Sequence, residues 1–252
     1  MIKKIALAAA VAATASFATW DKFPVLEANK GQAKVGVDYM MQDKVSGLDA
    51  KVGARYSVIQ NLELGLSLPY RIFTDWDGED GADGLENLTF MARYQFMPIM
   101  NAFLDVEFPI GEEELVDDGF GFHFGVQYSQ GFGMVTLGSE AGLTITTEGD
   151  NEVSGPWDLN VGVEGDFNVN EMFTPYVGID VDMWLGETTH DGDEVPDNFD
   201  ESGTLGLMPY VGVGIAINPM FSVDLCASFG LGDDYYGKDL LTIISASLFI
   251  NF

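Results

Sequence analysis

The residues able to do chemistry are few in kind. The 252-residue chain has two histidines, one cysteine, and 40 Asp+Glu against 11 Lys+Arg. Nucleophilic catalysis needs a hydroxyl or thiol beside a base. His123 stands between Gly121 and Gly125 in FGFHFGVQYS (120–129), with no His-x-Ser arrangement around it. His190 lies in an acid-rich stretch that reads as a loop. Cys226 has no second cysteine, so neither a disulfide nor a Cys-rich zinc site is available. No catalytic residue emerges, and the chain reads as a non-enzyme.

The acids remain. The stretch 75–86, DWDGEDGADGLE, puts Asp75, Asp77, Glu79, Asp83 and Glu86 at the ligand spacing of an EF-hand calcium loop. Asp80 replaces the glycine that this motif needs at its turn, and the flanks read as strands. Calcium at these acidic loops therefore stands as an alternative to a solvated, mutually repelling surface, and no other cofactor is implied. The stretch 187–201, with Asp191, Asp193, Glu194, Asp197, Asp200 and Glu201, has the same two readings.

Composition excludes several classes. A net charge of −29 gives no basic surface for phosphates, so nucleic acid is not a partner. With 47% hydrophobic and 12% aromatic residues the chain is too apolar for disorder. Lys3 and Lys4, an apolar run from Ile5 to Ala15, and Ser16-Phe17-Ala18 form a secretory signal with cleavage expected after Ala18. Residues 1–18 are then the signal peptide, and 19–252 a single domain. Loss of the two lysines takes the charge to −29 − 2 = −31. No later segment reads as a membrane-spanning helix; the best, 208–231, contains Pro209, Pro219 and Asp224.

The elements that must position these residues are strands. In LDAKVGARYSV (48–58), Ala50, Val52, Ala54, Tyr56 and Val58 share one face, and Asp49, Lys51, Gly53, Arg55 and Ser57 the other. Such period-two alternation marks a strand with one apolar face. It recurs in about twelve segments: 32–42, 48–58, 62–70, 87–96, 102–110, 120–129, 134–145, 157–167, 174–185, 204–217, 221–229 and 240–252. Links after even-numbered strands are short, and those after odd-numbered strands are mostly long and acidic. Outer-membrane barrels alternate short turns with long outer loops in this way. The acids left on strands all fall on the polar face, and the opposite face carries no charge. Charge facing lipid costs about 2–4 kcal/mol at mid-bilayer, so a charge-free face on every strand predicts a transmembrane antiparallel up-and-down β-barrel of about twelve strands.

The polar face is then the lumen. Its expected lining includes Arg55, Glu63, Arg93, Asp105, Glu107, His123, Glu140, Glu164, Asp180, Asp182 and Asp224. The bases counted there are Lys34, Lys51, Arg55 and Arg93, all on the first four strands, and an ion-pair ladder involving Arg55, Glu63 and Arg93 is expected. Glu140, Asp158, Glu164, Asp166, Asp180, Asp182 and Asp224 have no base among their strands. Unpaired carboxylates are costly to desolvate, so a wet, cation-attracting wall is expected. Trp20, Phe23, Pro24, Val25 and Leu26, ahead of the first strand, are placed to cap the periplasmic mouth. The chain ends LLTIISASLFINF, whose alternation up to Phe252 is similar to the C-terminal assembly signal of outer-membrane barrels.

The stretch SVIQNLELGLSLPYRI (57–72), then GLENLTFMARYQF (84–96) and DVEFPIGEEE (105–114), resembles the outer-membrane family labelled "MetA-pathway of phenol degradation". The resemblance runs over about 48–115. It implies a transporter barrel and, through the label alone, aromatic or hydrophobic solutes. Two functions are expected: a passive channel for small solutes, or a non-conducting barrel whose acidic loops bind cations or partners. Either would sit in the outer membrane, among lipid and lipopolysaccharide, after insertion by the barrel assembly machinery. Oligomeric state is not encoded in any motif.

Overall fold

The computed structural model describes residues 22, 25–116, 118–150, 152–194 and 201–252. The signal peptide, Trp20, Phe23, Pro24, Asp197 and Asp200 lie outside them. Twelve strands close one barrel: β1 Gly31–Gln42, β2 Val45–Ile59, β3 Leu62–Trp76, β4 Leu88–Met97, β5 Met100–Phe108, β6 Gly121–Phe132, β7 Val135–Thr146, β8 Trp157–Phe167, β9 Phe173–Leu185, β10 Leu205–Ala216, β11 Phe221–Gly230 and β12 Leu241–Asn251. Each pairs antiparallel with its neighbours in sequence. β1 pairs with β12 from Gln32↔Asn251 to Met41↔Thr242, which closes the wall. Closure leaves no edge strand, as lipid demands.

The alternation read from sequence is the inside–outside division of this wall. Val35, Val37, Tyr39 and Met41 face outward on β1, while Asp38, Met40 and Gln42 are buried inside. Outward positions on the twelve strands carry no charge except Asp75, at the loop end of β3. Exposed aromatics gather at both rims: Tyr39, Tyr70, Phe73, Phe108, Phe120 and Trp157 at the loop end, Tyr56, Tyr94, Phe96, Phe132, Phe167 and Phe173 at the short-turn end. Paired aromatic girdles match the two interfaces of a bilayer.

Three features differ from the sequence expectation. β3 continues to Trp76, because a bulge places both Ile72 and Phe73 outside and restores alternation beyond them. β2 begins at Val45, so the first link is only Asp43-Lys44, with Asp43 at φ 48°. It is a tight turn on the side of the barrel that otherwise carries long loops. Val153–Ser154, Thr189–His190 and Asp193–Glu194 form a small separate sheet from two of those loops.

Candidate functional site

The lumen has two chemically different walls. On β1 to β7 Lys51, Arg55, Arg71, Arg93 and His123 are each set against an acid. Lys51 meets Asp38 at 2.6 Å, and Arg55 meets Glu63 at 3.4 Å while its Nε donates to Gln32 at 3.0 Å. Arg93 pairs with Asp105, its Nη2 at 3.1 Å, with its guanidinium 5.1 Å from the Phe103 ring centre. His123 lies between two acids, 3.7 Å from Asp105 and 3.8 Å from Glu140, with Nε2 2.9 Å from Asn160. Asn160 and Gln127 both donate to Glu140, at 2.9 and 2.7 Å, and Asn87 donates to Glu107 at 3.0 Å. The expected Arg55–Glu63 rung is present, and Arg93 extends the network to β5.

Sequence reading missed Arg71, the most enclosed base among the described residues. It falls past the expected end of the third strand, where the bulge interrupts the alternation. Its fork grips Asp49, and Nη2 donates to Glu86 at 3.0 Å and Nη1 to Thr74 at 3.2 Å. Arg71, Asp49 and Glu86 are 2%, 0% and 3% exposed.

The wall of β8 to β11 has acids without a base on their own strands, as expected, but most of them do not lack partners. Tyr235 and Tyr236 come from the 231–240 loop, which folds into the barrel mouth instead of out to solvent. They donate to Asp158 and Asp182, the second at 3.1 Å. Met40, Met208, Leu241 and Ile243 pack with them, and Trp184 lies 4.8 Å from the Tyr235 ring centre. Burial pushes both phenols above their ordinary value, so they stay protonated donors. Tyr176 donates to Asp224 at 2.9 Å. Cys226 is buried beside Tyr176 and Tyr210.

Asp180 is partnered from farther away. Lys22, nine residues before β1, reaches into the barrel, pairs with the Asp180 carboxylate and donates to the Tyr210 hydroxyl at 2.8 Å. Its ammonium lies 5.0 Å from the Tyr210 ring centre, and the residue is 5% exposed. Leu26 N–H donates to Glu63 at 2.9 Å, near the short-turn rim. Leu26 thus lies at the mouth where the sequence places it, while Lys22, which that expectation does not name, reaches the lumen wall at Asp180.

Glycines make this crowding possible. A Cβ on Gly178 would lie 2.2 Å from Tyr210 Cζ, and one on Gly212 would lie 2.2 Å from Tyr176 Cζ. The hydroxyl end of each ring thus lies over the glycine directly across from it.

The loop acids are dispersed. Asp77 pairs with exposed Lys44 at 2.6 Å, Asp75 accepts from Gly78 N–H at 3.1 Å, and Glu86 turns inward to Arg71. Glu79 and Asp83 lie on an exposed stretch apart from Glu86. Among the described residues no group of three or more His, Cys, Asp or Glu is arranged to hold a metal ion. In the 187–201 loop, Glu187 accepts the N–H groups of Glu201 and Ser202 at 3.0 and 3.1 Å, so part of that acidity serves to fold the loop.

Comparison with family profiles and with curated proteins gives no match. Among solved structures, the COG4313 outer membrane channel from Pseudomonas putida F1 is similar with a TM-score of 0.78 at 12% identity, over 94% of this chain and 100% of that one. The translocator domain of autotransporter NalP from Neisseria meningitidis gives 0.53 at 12% identity, over 91% and 90%. The NanC porin gives 0.52 at 9% identity, over 86% and 98%. The likeness is one of fold: this chain is an outer-membrane-type β-barrel.

Proposed function

We propose that the chain is a passive outer-membrane channel for small solutes, with an acidic lumen that prefers cations. The observation that carries this reading is the β8–β11 wall, where six strand carboxylates face inward and the four strands carry no Lys or Arg. Fixed negative charge along a pore attracts cations and repels anions. The resemblance over 48–115 adds aromatic or hydrophobic compounds as candidate solutes, and the similarity of fold to a bacterial outer membrane channel supports the same use. Lipid and lipopolysaccharide are its surroundings in this reading, with divalent cations bridging the acidic loops to anionic headgroups.

The test is the reversal potential in a planar bilayer under a salt gradient. Cation preference is expected, and it should weaken from 0.1 M to 1 M salt as the screening length falls from about 10 Å to about 3 Å. Asp180→Asn with Asp182→Asn should reduce it further, because two carboxylates vanish while the Lys22 charge stays. Anion preference would overturn the lumen assignment.

A second reading has its own support. Arg71, Gln127 and Glu164 are nearly wholly enclosed, and Lys22, Tyr235 and Tyr236 cross the interior. That is the packing of a non-conducting barrel with a structural or surface role. Folded protein that inserts and carries no current would select it.

A further inference from the structure

Lys22 reaches its site from outside the strands that build it. We propose that Asp180, Tyr210 and Glu164 form a binding site for the primary alkylammonium group of a small solute, and that Lys22 is its intramolecular competitor. This deepens the channel reading by naming a solute class.

The ammonium of Lys22 meets three kinds of partner at once. Asp180 supplies a carboxylate, Tyr210 a hydroxyl oxygen at 2.8 Å, and the same ring a π-face with its centre 5.0 Å away. A carboxylate, a neutral acceptor and an aromatic face suit an –NH3+ group, which has three donors and a charge attracted by ring quadrupoles. A hard divalent cation would want several oxygens close around it, and no such group occurs among the described residues.

The site is larger than its present occupant. Glu164 lies on β8 opposite Gly178, over which the Tyr210 ring is laid, so its carboxylate stands beside the Tyr210 hydroxyl. It is 2% exposed, its carboxyl group is held between Tyr210 and Asp166, and its Oε2 has no further hydrogen-bond partner. An enclosed carboxylate oxygen left unpartnered is expensive unless a donor arrives. Gly162, next to Glu164 on the same face, leaves the space that Lys22 fills: a Cβ there would lie 2.7 Å from Lys22 Nζ. Asp182 continues the acid row along β9, within reach of a second ammonium on a short diamine.

Lys22 belongs to no strand, so a solute ammonium can take its place while the barrel ladder stays intact.

The experiment titrates 1,4-diaminobutane into the refolded full-length barrel in detergent and reads heat by calorimetry, with folding of each variant checked by heat-modifiable migration. If Lys22 fills the site about nine-tenths of the time, its removal strengthens the apparent affinity about tenfold. Lys22→Gln and Lys22→Met should both show that gain. Adding Asp180→Asn to either should abolish the heat, and tetramethylammonium, which has no N–H donor, should bind far more weakly than the diamine. Equal affinity in wild type and both Lys22 variants, no binding in any of them, or diamine binding that survives Asp180→Asn would each overturn the site. Conductance is measured separately. A barrel that binds the diamine as expected but carries no current removes the channel and keeps the site, and a conducting barrel blind to the diamine does the reverse.

Discussion

At the scale of single residues, the lumen separates what alternation can reveal from what it cannot. Glu63, Asp105, Glu140 and Asp180 were legible because a strand of known phase fixes which way each points. Their partners were not. Lys22 and Tyr235 arrive from segments outside the strands, whose path no periodicity constrains, and Arg71 was hidden behind a bulge that shifts the phase by one. Arg71 shows the energetic weight of such partners. Removing one member of an enclosed ion pair costs about 3–5 kcal/mol, because the remaining charge is left without compensation. Arg71→Leu should strand both Asp49 and Glu86, each almost fully enclosed. The urea midpoint of the variant, refolded into vesicles, should fall markedly. The triple change Arg71→Leu, Asp49→Asn and Glu86→Gln should recover much of the loss, since no charge is then left buried. A triple variant as weak as the single one would mean that shape, not charge, holds this corner.

At the scale of elements, the strands were readable because a wall with lipid on one side and polar groups on the other imposes period two on every crossing. Their ends were less so. The Asp43-Lys44 turn reads as part of a longer loop because Val45, Ser46 and Gly47 break no pattern strongly enough to be claimed as strand. The last strand was readable to its final residue, and the structure gives Phe252 a mechanical role besides the assembly signal expected of it. Gly31 N–H donates to Phe252 carbonyl at 2.8 Å, and Phe252 N–H donates back to Gly31 carbonyl at 2.9 Å. These two bonds begin the β1–β12 seam. The Phe252 ring also lies over Gly31, where a Cβ would come within 2.3 Å of it. Deleting Phe252 removes the side chain and both bonds at the closing point. The amount of heat-modifiable barrel in the outer membrane should drop, and the same deletion should slow refolding into pure lipid, where no assembly machinery acts. A defect in cells with normal refolding in lipid would assign the residue to recognition alone. Unchanged levels in both would remove its role.

At the scale of the whole molecule, inside and outside are reversed relative to a water-soluble barrel, and this inversion was the most legible property of the chain. It follows from one rule: lipid admits no unpaired backbone group and little charge, so the wall must close and turn its carboxylates inward. The rule fixes architecture but leaves the bore unspecified. How far Lys22, Tyr176 and Tyr210 narrow it depends on side chains laid over Gly162, Gly178 and Gly212, and a glycine in sequence reads equally as open space or as a seat for a ring. Immersion itself can be tested with single cysteines in a Cys226→Ser background. Phe124→Cys and Val126→Cys place thiols on the outward face of β6, where the native side chains are 40% and 42% exposed. Ser129→Cys places one on the inward face of the same strand, at a position 7% exposed. In vesicles, a bilayer-soluble maleimide should label positions 124 and 126 and spare 129. If β6 instead packed its apolar side against a second sheet in water, 124 and 126 would be shielded, and a water-soluble maleimide would reach 129 first. Equal labelling at all three would mean that the alternation does not face lipid at all. Labelling confined to 124 and 126 places the apolar face in the bilayer, which is the condition for the carboxylates of β8 to β11 to act on solutes crossing it.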